Sequence, residues 1–289
     1  SIDFKYEKNS DYAIITRYDG TGGNVEIPSE LDGLPVQEIG DSAFESCDTV
    51  TSVTIPDGLE KIGERAFYNC YSLADIRVPI SVTECGSFAF KNTMWYENNS
   101  EDFVIVGDGI LVAYRGKSNN VDVPVGVKKI GDAFYDSFNI VSIKIPHTIE
   151  EIADGAFYAC TLMKSIEIQN NNFYTVNDNV LYTSDMSRLL YIPPQSGKES
   201  VIVNETITEI APYAFANNSK LESIVLHNSL TSIGEFAFDY CSELEEIEIP
   251  DSVKYIGDSA FNQCTSLEKV TLGNSLEKIA TGTFSGCRD

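Results

Sequence analysis

The chain of 289 residues carries 44 acidic against 20 basic side chains, a formal net charge of -24, 43% hydrophobic residues and a mean hydropathy of -0.11. That balance excludes a broad basic field for nucleic acid or an anionic membrane surface, while the apolar content is that of an ordered chain. No apolar run reaches the roughly 18 to 20 residues of a membrane helix or has the form of a signal-peptide core. A chain that begins at Ser1 without a leader is read as a mature form whose signal peptide has been removed.

In chain order, the first strand signal is Val25-Glu26-Ile27, closed by Pro28, and a glycine and an Ala-Phe pair follow at Gly40, Ala43 and Phe44. The same order then recurs: Ile-Gly-x-x-Ala-Phe-x-x-Cys-x-x-Leu-x-x-Ile-x-Ile-Pro. Its phenylalanines are Phe44, Phe67, Phe90, Phe134, Phe157, Phe215, Phe238 and Phe261, with Phe284 in a Thr-Phe variant. Their spacing is 23 residues, interrupted by two longer intervals of 44 and 58. A fixed period of this size signals a solenoid, in which each unit buries its apolar face only by stacking on its neighbours, so one domain can span residues 1–289.

The Ile-x-Ile pair alternates with period two and is β-branched, which predicts a short strand with both aliphatics inward. Ten such rungs are led by Val25, Val53, Ile76, Val121, Ile143, Ile166, Val201, Ile224, Ile247 and Val270. At about 4.8 Å between parallel strands they predict a sheet on the order of 43 Å long. The stretch from Ile-Gly through Ala-Phe is short and reads as one or two helical turns. The long intervals place insertions near 94–118 and 170–199, where Asp108-Gly109 and the polar turns around Asp178 and Asp185 predict two β-hairpins.

Cys47, Cys70, Cys160, Cys241, Cys264 and Cys287 each fall three residues after the repeat phenylalanine, and Cys85 stands where Ile-Gly is replaced. The column is read as reduced core thiols acting as small hydrophobes with a weak donor. A disulfide between stacked neighbours such as Cys241 and Cys264, about 5 Å apart, is compatible with distance, although their side chains would point the same way. Zinc is set aside because Cys-x-x-Cys and Cys/His spacings are absent, and no metal or cofactor is expected. His147 and His227 sit at the turn after a strand, and Asp178, Asn179 and Asp185 do not follow a calcium-loop spacing. No phosphate loop, dinucleotide fingerprint or zinc-protease motif occurs, and an enzyme is not expected.

The repeated Ile-Pro, Ile-Gly, Ala-Phe and Cys resemble the leucine-rich repeats of the BspA-type family of bacterial surface proteins, over nearly the whole chain. The opening Gly-Asn-Val-Glu-Ile-Pro through Phe44 resembles that family's N-terminal unit, with residues 1–38 as a cap. The resemblance implies an α/β, right-handed leucine-rich-repeat solenoid: about ten short parallel strands on one face, short helical turns on the other, and two hairpin insertions. It also implies a secreted or cell-surface module for adhesion to host matrix proteins, host cells or other bacteria. Where the generic pattern puts Asn or Cys after the strand, this chain has Gly58, Ser81, Thr148, Ser229, Ser252 and Ser275, so hydroxyl or backbone hydrogen bonds are expected in place of an asparagine ladder.

Binding is expected on the outward residues between the inward aliphatics. One outward column contains Arg77, Lys144, Glu167, Ile202, Val225 and Glu248, and the column before it is dominated by serines. Ile202 and Val225 are adjacent apolar residues on an otherwise polar face, either a contact site or covered by the second hairpin through Tyr182 and Tyr191. The leading expectation is a non-enzymatic module with an extracellular protein ligand. The alternatives are a glycan platform on Trp95, Tyr96 and Tyr114, or a spacer displaying another domain, since the chain stops at Cys287-Arg288-Asp289 within a unit.

Overall fold

In the computed structural model, residues 3–287 are described, and Ser1, Ile2, Arg288 and Asp289 lie outside them. The chain forms two compact units, Ser1–Gly116 with Gly126–Ala133, and Lys117–Val125 with Phe134–Asp289. Each is a stack of short coils built from the repeat.

The ten rungs read from the sequence all lie in strands of a first parallel ladder. In the first unit Gly23–Glu26, Val50–Thr54 and Asp75–Arg77 pair in succession. In the second, Asn120–Asp122, Ser142–Ile145 and Ser165–Ile168 form one ladder, Ser200–Ile202 pairs Ser223–Val225, and Glu246–Glu248 pairs Lys269–Thr271. Period-two alternation sends one side chain inward and its neighbours out: Ile224 and Ile247 are buried, and the residues flanking them are exposed.

A second parallel ladder was not expected. In most coils it is made of the pair ending in the isoleucine before the repeat glycine, or before alanine as at Ile210 and Ile279, with Cys85 in that place in one coil. In the first unit Ala13–Tyr18, Leu34–Ile39, Lys61–Ile62 and Glu84–Cys85 pair in order. In the second unit the order is Arg188–Tyr191, Glu209–Ile210, Ser232–Ile233, Tyr255–Ile256 and Lys278–Ile279. Where a glycine follows, adjacent coils come into close contact. Gly257 N donates to Ile233 O at 2.9 Å, and a Cβ on Gly257 would lie 2.3 Å from Glu235 N.

The expected helical turns are replaced by a chain of tight turns. Ala43, Glu45 and Cys47 donate back to Gly40, Ser42 and Phe44, while the intervening Ser42, Phe44 and Ser46 N–H groups reach Glu64, Ala66 and Tyr68 of the next coil at 2.9, 2.7 and 2.8 Å. A helix would keep these amides inside its own coil; here every second one is spent on the neighbour. The alternation needs left-handed residues, and Ser42, Ser46, Arg65 and Asn69 have φ of 54, 59, 53 and 61°. Among the described residues the α-helix is confined to Met94–Glu97, capped by Thr93, whose hydroxyl accepts from Tyr96 N.

The irregular intervals hold antiparallel strands: Phe103–Val106 against Ile110–Tyr114, and the three-stranded meander Tyr174–Asn177, Val180–Thr183 and Arg188–Tyr191. The N-terminal cap adds Phe4–Lys8 against Ala13–Tyr18. The last strand of each excursion re-enters the second ladder: Ile110–Tyr114 pairs in parallel with Lys129–Ile130, and Arg188–Tyr191 with Glu209–Ile210.

The repeat phenylalanines fill the interior as ring stacks. In the first unit Phe44–Phe67 and Phe67–Phe90 centroids are 4.9 and 5.7 Å apart; in the second Phe215–Phe238 and Phe238–Phe261 are 4.7 and 5.0 Å apart. Each pair adds roughly 0.5–1.5 kcal/mol beyond burial.

The cysteine column has a positive structural role. Cys70, Cys160, Cys241, Cys264 and Cys287 donate their thiols to the carbonyls of Phe44, Phe134, Phe215, Phe238 and Phe261 at 2.9, 3.1, 3.2, 3.1 and 3.2 Å. Asn218 stands in the same column and reaches Ile192 O and Phe215 O at 3.0 and 3.1 Å. Burial pushes the Cys70, Cys160 and Cys264 thiols up to about 12. The post-strand hydroxyls divide. Ser81 donates to Leu59 O at 2.7 Å and accepts from Gly58 N, whereas the buried hydroxyls of Ser229 and Ser252 have no partner, contrary to the expected bonds.

Candidate functional site

The outward residues of the first ladder differ along the chain. In the first unit Arg77 is exposed on Asp75–Arg77, beside Thr54 and Glu26. In the second unit Asp122, Lys144 and Glu167 stand in register, so opposite charges alternate across neighbouring strands. Ile202 and Val225 are likewise in register on adjacent strands, with relative exposures of 72% and 48%. The cover expected from the second hairpin is absent: Tyr191 is 5% exposed and packs on Phe157 at 5.1 Å, and Tyr182 packs against the core. The meander turns Tyr191 and Tyr182 toward the core, which leaves the aliphatic pair open.

Beside this pair the first ladder is interrupted. No pairing joins Ser223–Val225 to Glu246–Glu248 among the described residues. The split is graded. At its entry Glu245 N lies 3.5 Å from Glu222 O, whereas the equivalent bonds on either side, Glu222 N to Glu199 O and Glu268 N to Glu245 O, are 2.8 and 2.9 Å. At its far end, Val203 N donates to Val225 O and Ile249 N to Thr271 O, at 3.0 and 2.8 Å, but among the described residues Leu226 N meets no such acceptor. The two strands therefore leave backbone groups open to an incoming polar atom.

A groove of about 480 Å³ lies over this split. Val225, Leu226 and Ile247 line it together with His227, Glu246, Glu248 and Lys269. Lys269 Nζ is 3.6 Å from Glu246 Oε2, with both side chains 71% exposed, a pair worth little in water. Glu248 forms no ion pair among the described residues.

One signal missed at the sequence level lies one residue before the serine column: Glu199, Glu222, Glu245 and Glu268, one per coil and all exposed. Their spacing of 23 residues is legible in the sequence, one position ahead of the serine column.

The aromatic candidates of the first insertion sit in packing. Trp95 meets Phe90 at 5.2 Å, Arg115 lies over the Tyr96 ring at 5.4 Å, and Tyr114 contacts Phe103 at 5.1 Å. Trp95 and Tyr96 pack against the core, and burial pushes the Tyr96 hydroxyl up to about 12. Asp185 closes a hairpin turn, its Oδ1 accepting from Ser187 N at 3.0 Å, whereas Asn179 ties its turn to the first ladder, its Oδ1 accepting from Ile166 N at 3.1 Å.

Coils of fixed length, a ring stack inside and side chains displayed on a regular outer ladder define a repeat scaffold of the leucine-rich class. The chain belongs to the BspA-type leucine-rich repeat family, whose model matches in six copies over residues 24–103, 113–198 and 195–289. Among solved structures it is similar to a leucine-rich repeat protein from Eubacterium ventriosum, at 23% identity and a TM-score of 0.58, covering 99% of this chain and 74% of that one. A leucine-rich cell-surface protein from Faecalibacterium prausnitzii matches at 23% identity and TM-score 0.43, over 99% and 79% of the two chains. The pneumococcal vaccine antigen PcpA matches at 18% and 0.48, over 100% and 87%. At these identities the first likeness concerns the fold alone. No curated protein matches the chain.

Proposed function

We propose that this protein is a non-enzymatic binding module of a secreted or cell-surface bacterial protein. Its ligand is an extracellular protein, and its role is adhesion to host matrix proteins, host cells or other bacteria. Family membership supports the surface placement. The observation that carries the binding reading is the in-register pair Ile202 and Val225, open to solvent beside a groove of about 480 Å³. Two adjacent aliphatics on a polar outer face gain from being covered, at about 25 cal/mol per Å² of apolar surface removed from water.

The test is binding of the full chain to an array of matrix proteins and glycans beside the Ile202→Asp/Val225→Lys double variant, with circular dichroism confirming that the variant folds. A protein signal lost in the variant supports the reading. A signal confined to glycans, or a protein signal indifferent to the variant, overturns it.

A further inference from the structure

The partner's chemistry can be argued from the groove, and this step rests on the reading that the Ile202–Val225 face is the binding surface. The face combines three independent features. The first is the open aliphatic pair. The second is the interrupted ladder, with its stretched 3.5 Å entry bond and, among the described residues, no backbone acceptor for the N–H of half-buried Leu226, which lines the groove. The third is charge. Glu199, Glu222, Glu245 and Glu268 form an exposed row along the foot of the same four strands, and none of them has a salt bridge or side-chain hydrogen bond among the described residues. Glu248 adds a fifth free carboxylate, and Glu246 is shared with Lys269 at 3.6 Å.

Carboxylates stacked about 4.8 Å apart on successive rungs repel one another. Elsewhere on the ladder the chain avoids this: Asp122 and Glu167 flank Lys144 in register. On this face the repulsion is left uncompensated, and it is relieved when cations arrive from outside.

We propose that the groove docks an extended peptide segment bearing Lys or Arg side chains next to an aliphatic one. The segment runs across the strands, along the glutamate row. Same-side residues of an extended chain recur about every 6.7 Å, so a row of four rungs, on the order of 14 Å, faces two to three cations. The aliphatic side chain covers Ile202 and Val225. Arg suits the site better than Lys, because its planar fork meets a carboxylate with two parallel N–H donors. Exposed ion pairs are individually weak, so the row acts by steering and selection, and the contact must be salt-sensitive.

The probe is a fluorescein-labelled peptide of about nine residues alternating Val and Arg, compared with alternating Val–Glu and Ser–Arg peptides, by anisotropy at about 50 and about 200 mM salt. The expected result is saturable binding of the Val–Arg peptide, weakened at least about tenfold by the higher salt and by Glu222→Lys/Glu245→Lys, and weakened by Val225→Asp. The Ser–Arg peptide should bind more weakly and the Val–Glu peptide not at all. Glu26→Lys, a reversal of one outward charge in the other unit, should leave binding unchanged. Absence of binding, equal binding of Val–Glu, or an equal loss in Glu26→Lys overturns the proposal. A protein captured on the array and lost in Ile202→Asp/Val225→Lys, with no binding of the Val–Arg peptide, refutes the cationic partner and leaves the adhesion reading standing. Peptide binding that survives the double variant refutes the face itself.

Discussion

Phe238→Ala tests the stacked core most directly. Phe238 is fully buried between Phe215 at 4.7 Å and Phe261 at 5.0 Å, with interplanar angles of 19 and 4°. Truncating a buried phenylalanine costs about 3–5 kcal/mol, and the loss of two ring contacts puts this site near about 5 kcal/mol. Phe284 is the internal control. It is half-buried and stacks on one ring, Phe261, at 5.5 Å, so Phe284→Ala should cost about 2 kcal/mol. Urea unfolding of the full chain followed by circular dichroism gives the two values. Amide exchange should show protection lost first at Ala237–Cys241 and in the coils on either side, because a repeat transmits its stability through its neighbours. Equal costs for the two substitutions would refute the ring stack as the core.

Asp132 accepts Phe88 N at 3.0 Å, with Lys91, Cys85 and Tyr96 around it, and burial pushes its carboxyl up to about 6 from 3.8. The folded state holds this proton more tightly than the unfolded chain, so the group lowers stability as pH rises from about 4 to about 6. Asp132→Asn should therefore be more stable than the parent at pH near 7.5, with the difference gone near pH 4, as read from urea midpoints across that range. Iodoacetamide near pH 8 should label half-buried Cys47 well before Cys70, Cys160, Cys241 and Cys264; native labelling of Cys241 at its unfolded rate, seen by mass spectrometry, would contradict the thiol column. Gly257→Ala should cost about 1–3 kcal/mol in the same melts, because its Cβ would press on Glu235 N at 2.3 Å.

The period made the phenylalanine stack, the first ladder and the cysteine column legible, because each recurs every 23 residues and one position in the unit has one environment. The second ladder was not legible. A two-residue strand such as Lys61–Ile62 offers a single inward side chain, and alternation cannot be read from one residue. The helical turns were misread because the left-handed positions that rule out a helix carry Ser42, Arg65 and Asn69, where glycine would have announced them. At Ile130-Gly131-Asp132-Ala133-Phe134 the unit is one residue shorter than at Ile62–Phe67, which brings Asp132 within reach of Phe88 N; the long interval hid it. The aliphatic pair was visible as Ile202 and Val225, but its openness and the split beside it depend on how the meander and two neighbouring strands settle.

The thiol column ties coil to coil through hydrogens that only a reduced sulfur, or an amide in its place, can give. Asn218 replaces a cysteine and keeps the bond to the preceding coil, reaching back 26 residues as Cys241 and Cys264 do. What the position selects is a short donor that fits under the phenylalanine, and sulfur is one way to supply it. The bonds between coils are therefore tied to the reduced form: all seven cysteines are free thiols, and oxidising Cys241 or Cys264 would take away the hydrogen that each gives to the carbonyl beneath it.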